Sequence, residues 1–543
     1  MTTDQAELTT PRSAALDEAH IGDIRGAFGT IRQHDTAARQ SWKAWLLTLL
    51  AIVGPGIIVM VGDNDAGGVS TYSQAGQNYG TSLLWTLLLL IPVLIVNQEM
   101  VVRLGAVTRV GHARLIFERF GKFWGWFSVG DLYLLNFLTI VTEFIGVRFA
   151  LGYFGVPDYI SVPSAAAVLI VMTATGSFRR WERFMMLFIV VNALVIPLAI
   201  LSHPTAAPIL HGLFVPGIAG GVTSSAVLLI IAIVGTTVAP WQLFFQQSNV
   251  IDKRITTRWI QYERLDTIIG SFVTVGGAMA IVIATAFAFK GTANAGHYTN
   301  AETVAHELRF TVGHLSGTIF AIVLLDASII GAAAVTLATS YAVGDTFNIK
   351  HSLHRSLGEA KGFYASYAGL IALAAAIVLI PHAPLGVITL AVQALAGILL
   401  PSATVFLLLL CNDRDVLGPW VNSGWLNALG SLIVGALLIL SLILVVTTLI
   451  PTVNVTGMLV GFAIVLLVGL GVMGLLTLPG RRARAFVAAP VDRQTWSMPA
   501  LAELSRPVPS RGRLIGMWAL RGYLVLAALL LVAKAILLAL GHH

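Results

Sequence analysis

The sequence predicts an all-α protein that crosses a membrane many times, because of its composition and its recurring apolar runs. Of its 543 residues, 57% are hydrophobic and only 11% are charged, whereas soluble domains carry about 25% charged residues. Apolar runs such as 83–96, 165–174 and 432–449 recur along the chain, and a membrane-spanning helix needs about 20 predominantly apolar residues. The single cysteine, Cys411, excludes a disulfide framework and a paired-cysteine metal site.

The apolar runs also give the order of the predicted elements. Residues 1–42 are polar with mixed charge and contain no apolar core of a signal peptide, so they predict a cytoplasmic tail. Residues 43–477 predict a transmembrane domain of twelve helices, at roughly 44–77, 82–103, 124–152, 160–175, 184–202, 223–250, 266–290, 314–345, 363–381, 384–411, 425–449 and 454–477. Residues 478–543 predict a basic cytoplasmic linker and a C-terminal hydrophobic helix over 523–540.

The positions of Lys and Arg predict the orientation. Basic residues are frequent in the N-terminal tail, in every second loop and after helix 12, whereas the remaining loops carry only Lys290 and Arg309. Cytoplasmic loops are enriched in Lys and Arg, so we expect a multi-pass protein of the inner (plasma) membrane with a cytoplasmic N-terminus. The net charge of +7 follows from this topology. No nucleic-acid partner is predicted, because the basic residues do not gather on one soluble face.

Helices 1 and 6 contain helix breakers at corresponding places in the two halves of the chain. Helix 1 contains Gly54-Pro55-Gly56 and then the stretch 62–68, Gly-Asp-Asn-Asp-Ala-Gly-Gly, while helix 6 contains residues 235–241, Gly-Thr-Thr-Val-Ala-Pro-Trp. Unsatisfied backbone in hydrocarbon costs several kcal/mol per group, so it persists only where it lines a cavity or site. Broken helices in both halves are typical of transporters built from inverted repeats.

Carboxylates inside the predicted helices are candidate functional groups, because a charge at mid-membrane costs about 2.5–3.5 kcal/mol. Asp65 lies at the first break. Asp63 is two residues earlier and could bind the same ion or face a vestibule. Glu143 in helix 3 could form a structural pair with Arg148 or take part in transport. Asp326 in helix 8 could contact the ion path or pair with Arg148.

Short motifs near both breaks carry a resemblance to a known family. They are Gly54-Pro55 followed by Asp65, then Tyr79-Gly80 and Leu83-Leu84-Trp85, the stretch 235–255, Glu143-Phe144-Ile145-Gly146, and Gln393. These motifs resemble those of the NRAMP divalent-metal transporters, whose helix 1 carries Asp-Pro-Gly-Asn and whose helix 6 carries Met-Pro-His. The resemblance implies a LeuT-type fold with two inverted five-helix repeats, alternating access, and metal uptake into the cytoplasm.

The sequence departs from this family at four motif positions. The family's Pro and Asn in helix 1 are Ala66 and Gly68 here, and its Met and His in helix 6 are Ala239 and Trp241. A soft thioether ligand favours transition metals, and Ala239 lacks it. Mg²⁺ keeps several waters and binds through one or two carboxylates, which suits a roomier site. These substitutions look like the NRAMP-related magnesium transporters, a branch that carries Mg²⁺ and also Mn²⁺.

The predicted site has Asp65 as its charged ligand, with the backbone carbonyl of Ala239. Thr236 and Gln393 are predicted to contact the ion through water, and Gly68, Gly67, Pro240 and Trp241 shape the site. The metal is the transported substrate, and no cofactor is predicted. Where the family's proton route has titratable residues, this chain has Ile140 and Trp241, so we expect transport uncoupled from protons and driven by the ion gradient and the membrane potential.

Three alternatives remain open. The first is a proton-coupled Mn²⁺ or Fe²⁺ transporter of the NRAMP family that uses Asp63 and Glu143 as proton carriers. The second is an organic-solute carrier, although Asp65 would repel a substrate carboxylate at the break. The third is an intramembrane aspartyl protease with Asp65 and Asp345 as its two acids, although Asp345 lies at the predicted end of helix 8. The divalent ion and the lipid bilayer are the predicted partners, and a monomer is one possible state.

Overall fold

The structure is a computed structural model that describes residues 18–381, 385–449, 453–477, 493, 496, 498–504 and 513–525. Most of these residues are helical. In the described part of the chain the one sheet is a hairpin, in which β1 (Ile24–Arg25) pairs antiparallel with β2 (Thr30–Ile31). This hairpin packs on the first helix.

The first half of the membrane domain contains ten helices. They are α1 (Trp42–Ile52), α2 (Pro55–Val61), α3 (Ala66–Tyr79), α4 (Leu84–Thr108), α5 (His112–Phe120), α6 (Lys122–Tyr153), α7 (Asp158–Thr173), α8 (Phe178–Asn192), α9 (Val195–Leu201) and α10 (Ala206–Phe214). The predicted helix 1 is thus three helices, and the predicted helix 5 begins six residues earlier than 184 and is interrupted before Val195.

The second half contains ten more. They are α11 (Ser224–Thr237), α12 (Pro240–Asp252), α13 (Ile260–Phe289), α14 (Ala301–Thr311), α15 (His314–Phe347), α16 (Lys361–Val378), α17 (Leu385–Leu410), α18 (Arg414–Leu417), α19 (Gly424–Leu449) and α20 (Val455–Thr477). Single turns of 3-10 helix cover Glu18–His20, Thr257–Trp259, Gly418–Trp420 and Leu501–Glu503. Residues 478–492 and 526–543, which include most of the predicted C-terminal hydrophobic helix, lie outside the described residues.

The predicted all-α polytopic fold is confirmed. Among the described residues, nine helical stretches are long and apolar enough to cross a membrane, and α1 with α2 forms a tenth that is bent by 53°. Two shorter apolar stretches, in α7 and α20, bring the number to the predicted twelve.

Helix 1 is broken twice, and each break follows from local sequence. Gly54 separates α1 from α2 and has φ +159°, and Pro55 begins α2 at the position where a missing N–H is harmless. The second break covers residues 62–65, and its last residue, Asp65, is the N-cap of α3. Helix 6 is broken at residues 238–239, where Ala239 has an extended backbone and Pro240 begins α12. The predicted breaks in helices 1 and 6 are therefore confirmed.

The breaks lie at the centre of the packing. α3 packs against α6, α11, α13, α15 and α17, and α12 packs against α4 and α15. α2 and α12 are almost wholly buried, whereas α1 exposes Leu46, Leu47 and Leu50. A peripheral α1 thus leads into an enclosed α2 and α3, and the functional residues are held by the enclosed part.

Candidate metal site

Asp65 lies at the second break of helix 1 and is 2% exposed. Its Oδ1 accepts a hydrogen bond from Gly68 N at 2.6 Å, which caps α3. Thr236 Oγ1, near the end of α11, donates to the same oxygen at 3.5 Å. The structure therefore brings together two of the predicted ligands, one from each broken helix.

Gln393 of α17 lies against the start of α3. A Cβ on Gly67 would overlap the side-chain amide of Gln393, so glycine is required for this approach. Gln393 is 2% exposed, and within the described residues its Nε2 has no hydrogen-bond partner. Buried polar groups are rarely left unpaired, so the open Nε2 marks a place beside Asp65 where an acceptor such as a water molecule can bind.

Gly68 is also fixed by its surroundings. A Cβ at Gly68 would come within 2.7 Å of the Asp63 carbonyl oxygen and 3.2 Å of Thr236 Oγ1. The family motif has Asn at this position, and here glycine lets the backbone of the first break approach α11. The space that a side chain at position 68 would take is already occupied by Asp63, Thr236 and Tyr72, so Gly68 does not make the site roomier.

Glu143 of α6 lies directly beside Asp65. Its Oε2 accepts from Ala66 N at 3.1 Å, and a Cβ on Gly331 of α15 would lie 2.6 Å from Glu143 Oε2 and 2.9 Å from Asp65 Cβ. Glu143 does not pair with Arg148, which instead forms an ion pair with Asp158 at 2.8 Å. The hypothesis of a Glu143–Arg148 pair is therefore wrong, and two carboxyl groups share the break.

The break in helix 6 faces the break in helix 1. The Ala239 carbonyl accepts from Gln242 N at 3.2 Å, in the first turn of α12. Trp241 is 1% exposed, and its ring lies close enough to Gly62 that a Cβ there would be 3.1 Å away. Pro240 and Trp241 thus shape the region between the two breaks, while Ala239 places no side-chain ligand there.

Asp63 and Asp326 are the two remaining sequence candidates. Both are buried, at 0% and 3% exposed. In the part of the chain that the structure describes, none of their four carboxylate oxygens has a hydrogen-bond donor. Asp326 is not a partner of Arg148, so that alternative is wrong. Asp63 lies between α2 and α3, two residues before Asp65, so it belongs to the same break.

The donor set offers oxygen and amide groups rather than a ready cage. No group of three His, Cys, Asp or Glu side chains within the described ranges is arranged to hold a metal ion. Two carboxylates, an amide, a hydroxyl and the freed backbone of two breaks are instead available around Asp65. Hard oxygen donors in this number suit a divalent cation that retains part of its hydration.

A buried polar layer around the breaks was not anticipated from the sequence. Tyr72 Oη and Thr237 Oγ1 are 2.8 Å apart and link α3 to α11. Gln242 donates to the Thr237 carbonyl at 3.2 Å, and Gln98 of α4 donates to Gln242 at 3.0 Å. The signal was present, since these polar residues interrupt apolar helices and must find partners inside the protein.

The comparisons with known proteins agree with this geometry. Residues 56–447 match the family described as natural resistance-associated macrophage protein-like, or Nramp. The chain belongs to the Nramp family.

Several relatives of this Nramp protein share most of its length. The divalent metal cation transporter MntH of Klebsiella pneumoniae subsp. pneumoniae is 25% identical over 398 residues, which are 71% of this chain and 91% of that protein. MntH of Mesorhizobium japonicum is 30% identical over 356 residues, 61% of this chain and 75% of that protein. The crystal structure of the Eremococcus coleocola manganese transporter superposes with a TM-score of 0.61 at 20% identity, covering 81% of this chain and 96% of that chain.

Family membership decides several of the predictions. The NRAMP resemblance and the LeuT-type fold are confirmed. The prediction that the chain is not an enzyme is confirmed too, and the aspartyl protease hypothesis is wrong. The magnesium branch is not confirmed, because the similar proteins are named MntH.

Proposed function

We propose that this Nramp protein transports a divalent metal cation across a membrane by alternating access, with Asp65 as the charged ligand. The observation that carries the proposal is the position of Asp65, buried at a helix break beside Glu143, Thr236 and the open amide of Gln393. An ionised carboxylate is costly in a bilayer, so such a residue marks an ion pathway. The metal is the cargo rather than a cofactor.

Mn²⁺ is the first candidate cargo. The relatives are named as divalent metal cation transporters, and the solved neighbour is named as a manganese transporter. This favours the alternative that the sequence left open over the magnesium hypothesis.

Mg²⁺ is a second candidate because of one observation, the absence of a thioether at the helix 6 break. Ala239 occupies that position, and within the described residues no methionine or cysteine sulfur is recorded as a hydrogen-bond partner of Asp65. A site of oxygen and amide donors discriminates weakly against hard cations. Competition between Mn²⁺ and Mg²⁺ is therefore expected at this site.

Coupling to protons is the part of the proposal that experiment must decide. Ile140 and Trp241 cannot titrate, which favours uncoupled transport, whereas Asp63 and Glu143 are buried acids at the break that suit a proton-coupled importer. We also propose that the protein lies in a bacterial inner membrane with its N-terminus inside, on the distribution of Lys and Arg.

The test is uptake of Mn²⁺ and of Mg²⁺ into proteoliposomes, with internal pH followed in the same vesicles. The proposal predicts metal uptake by the natural protein and its loss in Asp65→Ala. Partly exposed Asp158, which pairs with Arg148, supplies a matched control in Asp158→Ala, which should retain uptake. Internal acidification that accompanies uptake supports proton coupling, and uptake without acidification supports the uncoupled mechanism. Full uptake by Asp65→Ala would contradict the proposed site.

A further inference from the structure

A second group of buried charges lies at the first break of helix 1, away from Asp65. Lys253, directly after α12, donates to the Ile52 carbonyl at 2.5 Å and to the Val53 carbonyl at 3.0 Å. It also forms an ion pair with Glu182 of α8 at 2.6 Å, and both side chains are fully buried. Glu182 in turn accepts from Ala27 N in the hairpin. Lys253 therefore satisfies the carbonyls that the break at Val53 and Gly54 leaves free.

Asp266 of α13 holds the other side of the same break. Its Oδ2 accepts from Gly54 N at 3.0 Å and from Gly56 N at 2.8 Å, and its Oδ1 accepts from Ile57 N at 3.3 Å. These are the N–H groups at the start of α2, which have no partner within the helix. The joint between α1 and α2 is thus fixed from both sides by charged groups, Lys253 on its carbonyls and Asp266 on its amides.

Glu263, three residues before Asp266 on α13, does not fit this balance. It is 0% exposed, and among the described residues neither of its carboxylate oxygens has a hydrogen-bond donor. The charged groups that act on it are Asp266, Lys253 and Glu182. These four residues are called the joint cluster. It contains three carboxyl groups and one ammonium group, so full ionisation would leave two negative charges uncompensated.

The contacts show which of the three carboxyl groups is the least stabilised as an anion. Glu182 has the ammonium group of Lys253 and a backbone N–H, and Asp266 has three backbone N–H donors. Hydrogen bonds of this kind stabilise the ionised form. Glu263 has neither, and a buried carboxylate without partners neutralises rather than remain charged. The side chain of Gln246 lies beside Glu263, but its Nε2 donates to Thr267 Oγ1 at 2.9 Å.

We propose that Glu263 is a proton-binding site that links protonation of the joint cluster to opening of the α1–α2 joint. With the joint closed, Glu263 holds its proton, because the cluster excludes water and already contains Asp266 as an anion. When α1 and α2 move away from α13, water reaches the cluster and Glu263 releases the proton. Because the closed joint binds one more proton than the open joint, rising pH favours opening, and falling pH favours closure.

The inference rests on the proposed function only in assuming that α2 moves during alternating access. It concerns a site separate from Asp65, since none of the joint cluster contacts Asp65, Thr236 or Gln393 through a hydrogen bond recorded in the described residues.

The test uses a single reporter cysteine. Ser271 of α13 is 0% exposed, and its Oγ lies 3.5 Å from Met60 Sδ of α2. Ser271→Cys, in a Cys411→Ala background that removes the natural cysteine, reacts with a thiol reagent only when α2 leaves α13. The labelling rate of the full-length protein in detergent is measured between pH 5.5 and 8.5, with and without Glu263→Gln. The labelling rate with natural Glu263 is divided by the rate with Glu263→Gln, and this ratio removes the pH dependence of the thiol reaction itself.

The proposal predicts a ratio that rises with pH, by up to about tenfold per pH unit over the range in which Glu263 titrates. Glu118→Gln changes a partly exposed carboxylate paired with Arg114. With natural Glu263 present, this variant should keep the same dependence of labelling rate on pH. Glu263→Leu is a second neutral variant and should reproduce the result of Glu263→Gln. A ratio independent of pH overturns the proposal, as does a rising ratio when Glu118→Gln replaces Glu263→Gln. Labelling needs no metal, so pH-dependent labelling in a protein without metal uptake supports this inference and contradicts only the proposed function.

Discussion

The two breaks of helix 1 are built in opposite ways. At the first break, Lys253 and Asp266 satisfy the free carbonyl and amide groups of the backbone. At the second break, Asp65 caps α3, but within the described residues the amide of Gln393 and both oxygens of Asp63 have no hydrogen-bond partner. A break whose backbone groups are satisfied by buried charges serves as a joint, whereas a break with open polar groups beside a carboxylate can receive a metal ion.

Substitutions at the two breaks should differ most in their effect on the free energy of unfolding of the protein. Lys253→Met should lower the free energy of unfolding by about 3–5 kcal/mol, because Glu182 becomes a buried unpaired charge and two backbone carbonyls lose their donor. Asp65→Asn should cost little, because Asn also caps a helix. Apparent Tm values in detergent compare the two variants. Lys290→Met, at an exposed lysine, is the control, and a Lys253→Met protein as stable as this control would contradict the assignment of the first break as a joint.

The second prediction concerns the fit of Gln393 at the open break. Gly67→Ala should lower the rate of metal uptake by about tenfold, equivalent to about 1.4 kcal/mol, because the new Cβ displaces the Gln393 amide. Gly276→Ala is the matched control, since a Cβ at Gly276 on α13 meets no atom within 4 Å among the described residues. Initial uptake rates in proteoliposomes measure both variants. Equal rates would show that the position of Gln393 does not matter for transport.

The smallest expected effect is on metal preference. Ala239→Met should shift the ratio of Mn²⁺ to Mg²⁺ uptake toward Mn²⁺ by a few fold, because a thioether favours transition metals. Ala239 is 5% exposed at the helix 6 break, so the longer side chain also takes space there. Competition of Mg²⁺ against Mn²⁺ uptake gives the ratio. An unchanged ratio would indicate that selectivity resides in other residues.

Sequence patterns predicted the fold because a lipid-embedded chain has few alternatives. Apolar runs predicted twelve helices, and glycine and proline placed the breaks within residues 54–56, 62–68 and 235–241, where the structure has them. Asp65, Thr236 and Gln393 were predicted as one site, and the structure brings them together. Their role as metal ligands stays a prediction.

The joint cluster was not predicted, because it depends on contacts between distant segments. The sequence pattern counts Lys253 among the basic residues of a cytoplasmic loop and gives Glu182 no role, yet both side chains are fully buried. Periodicity and charge counts cannot show that Glu182 and Lys253, which are 71 residues apart in the sequence, form an ion pair. The same limit led to the wrong pairing of Arg148 with Glu143 or Asp326, since Asp158 at the start of α7 is its partner.

The most direct test of the central claim is equilibrium binding of Mn²⁺ to the purified protein and to Asp65→Asn. Free Mn²⁺ is measured by electron paramagnetic resonance at rising metal concentration. Asn keeps the N-cap of α3, so the variant should stay folded while it lacks the charge. The account predicts one Mn²⁺ bound per natural chain and an affinity at least about tenfold weaker in Asp65→Asn. Equal binding by the two proteins would contradict the assignment of the metal site to the second break.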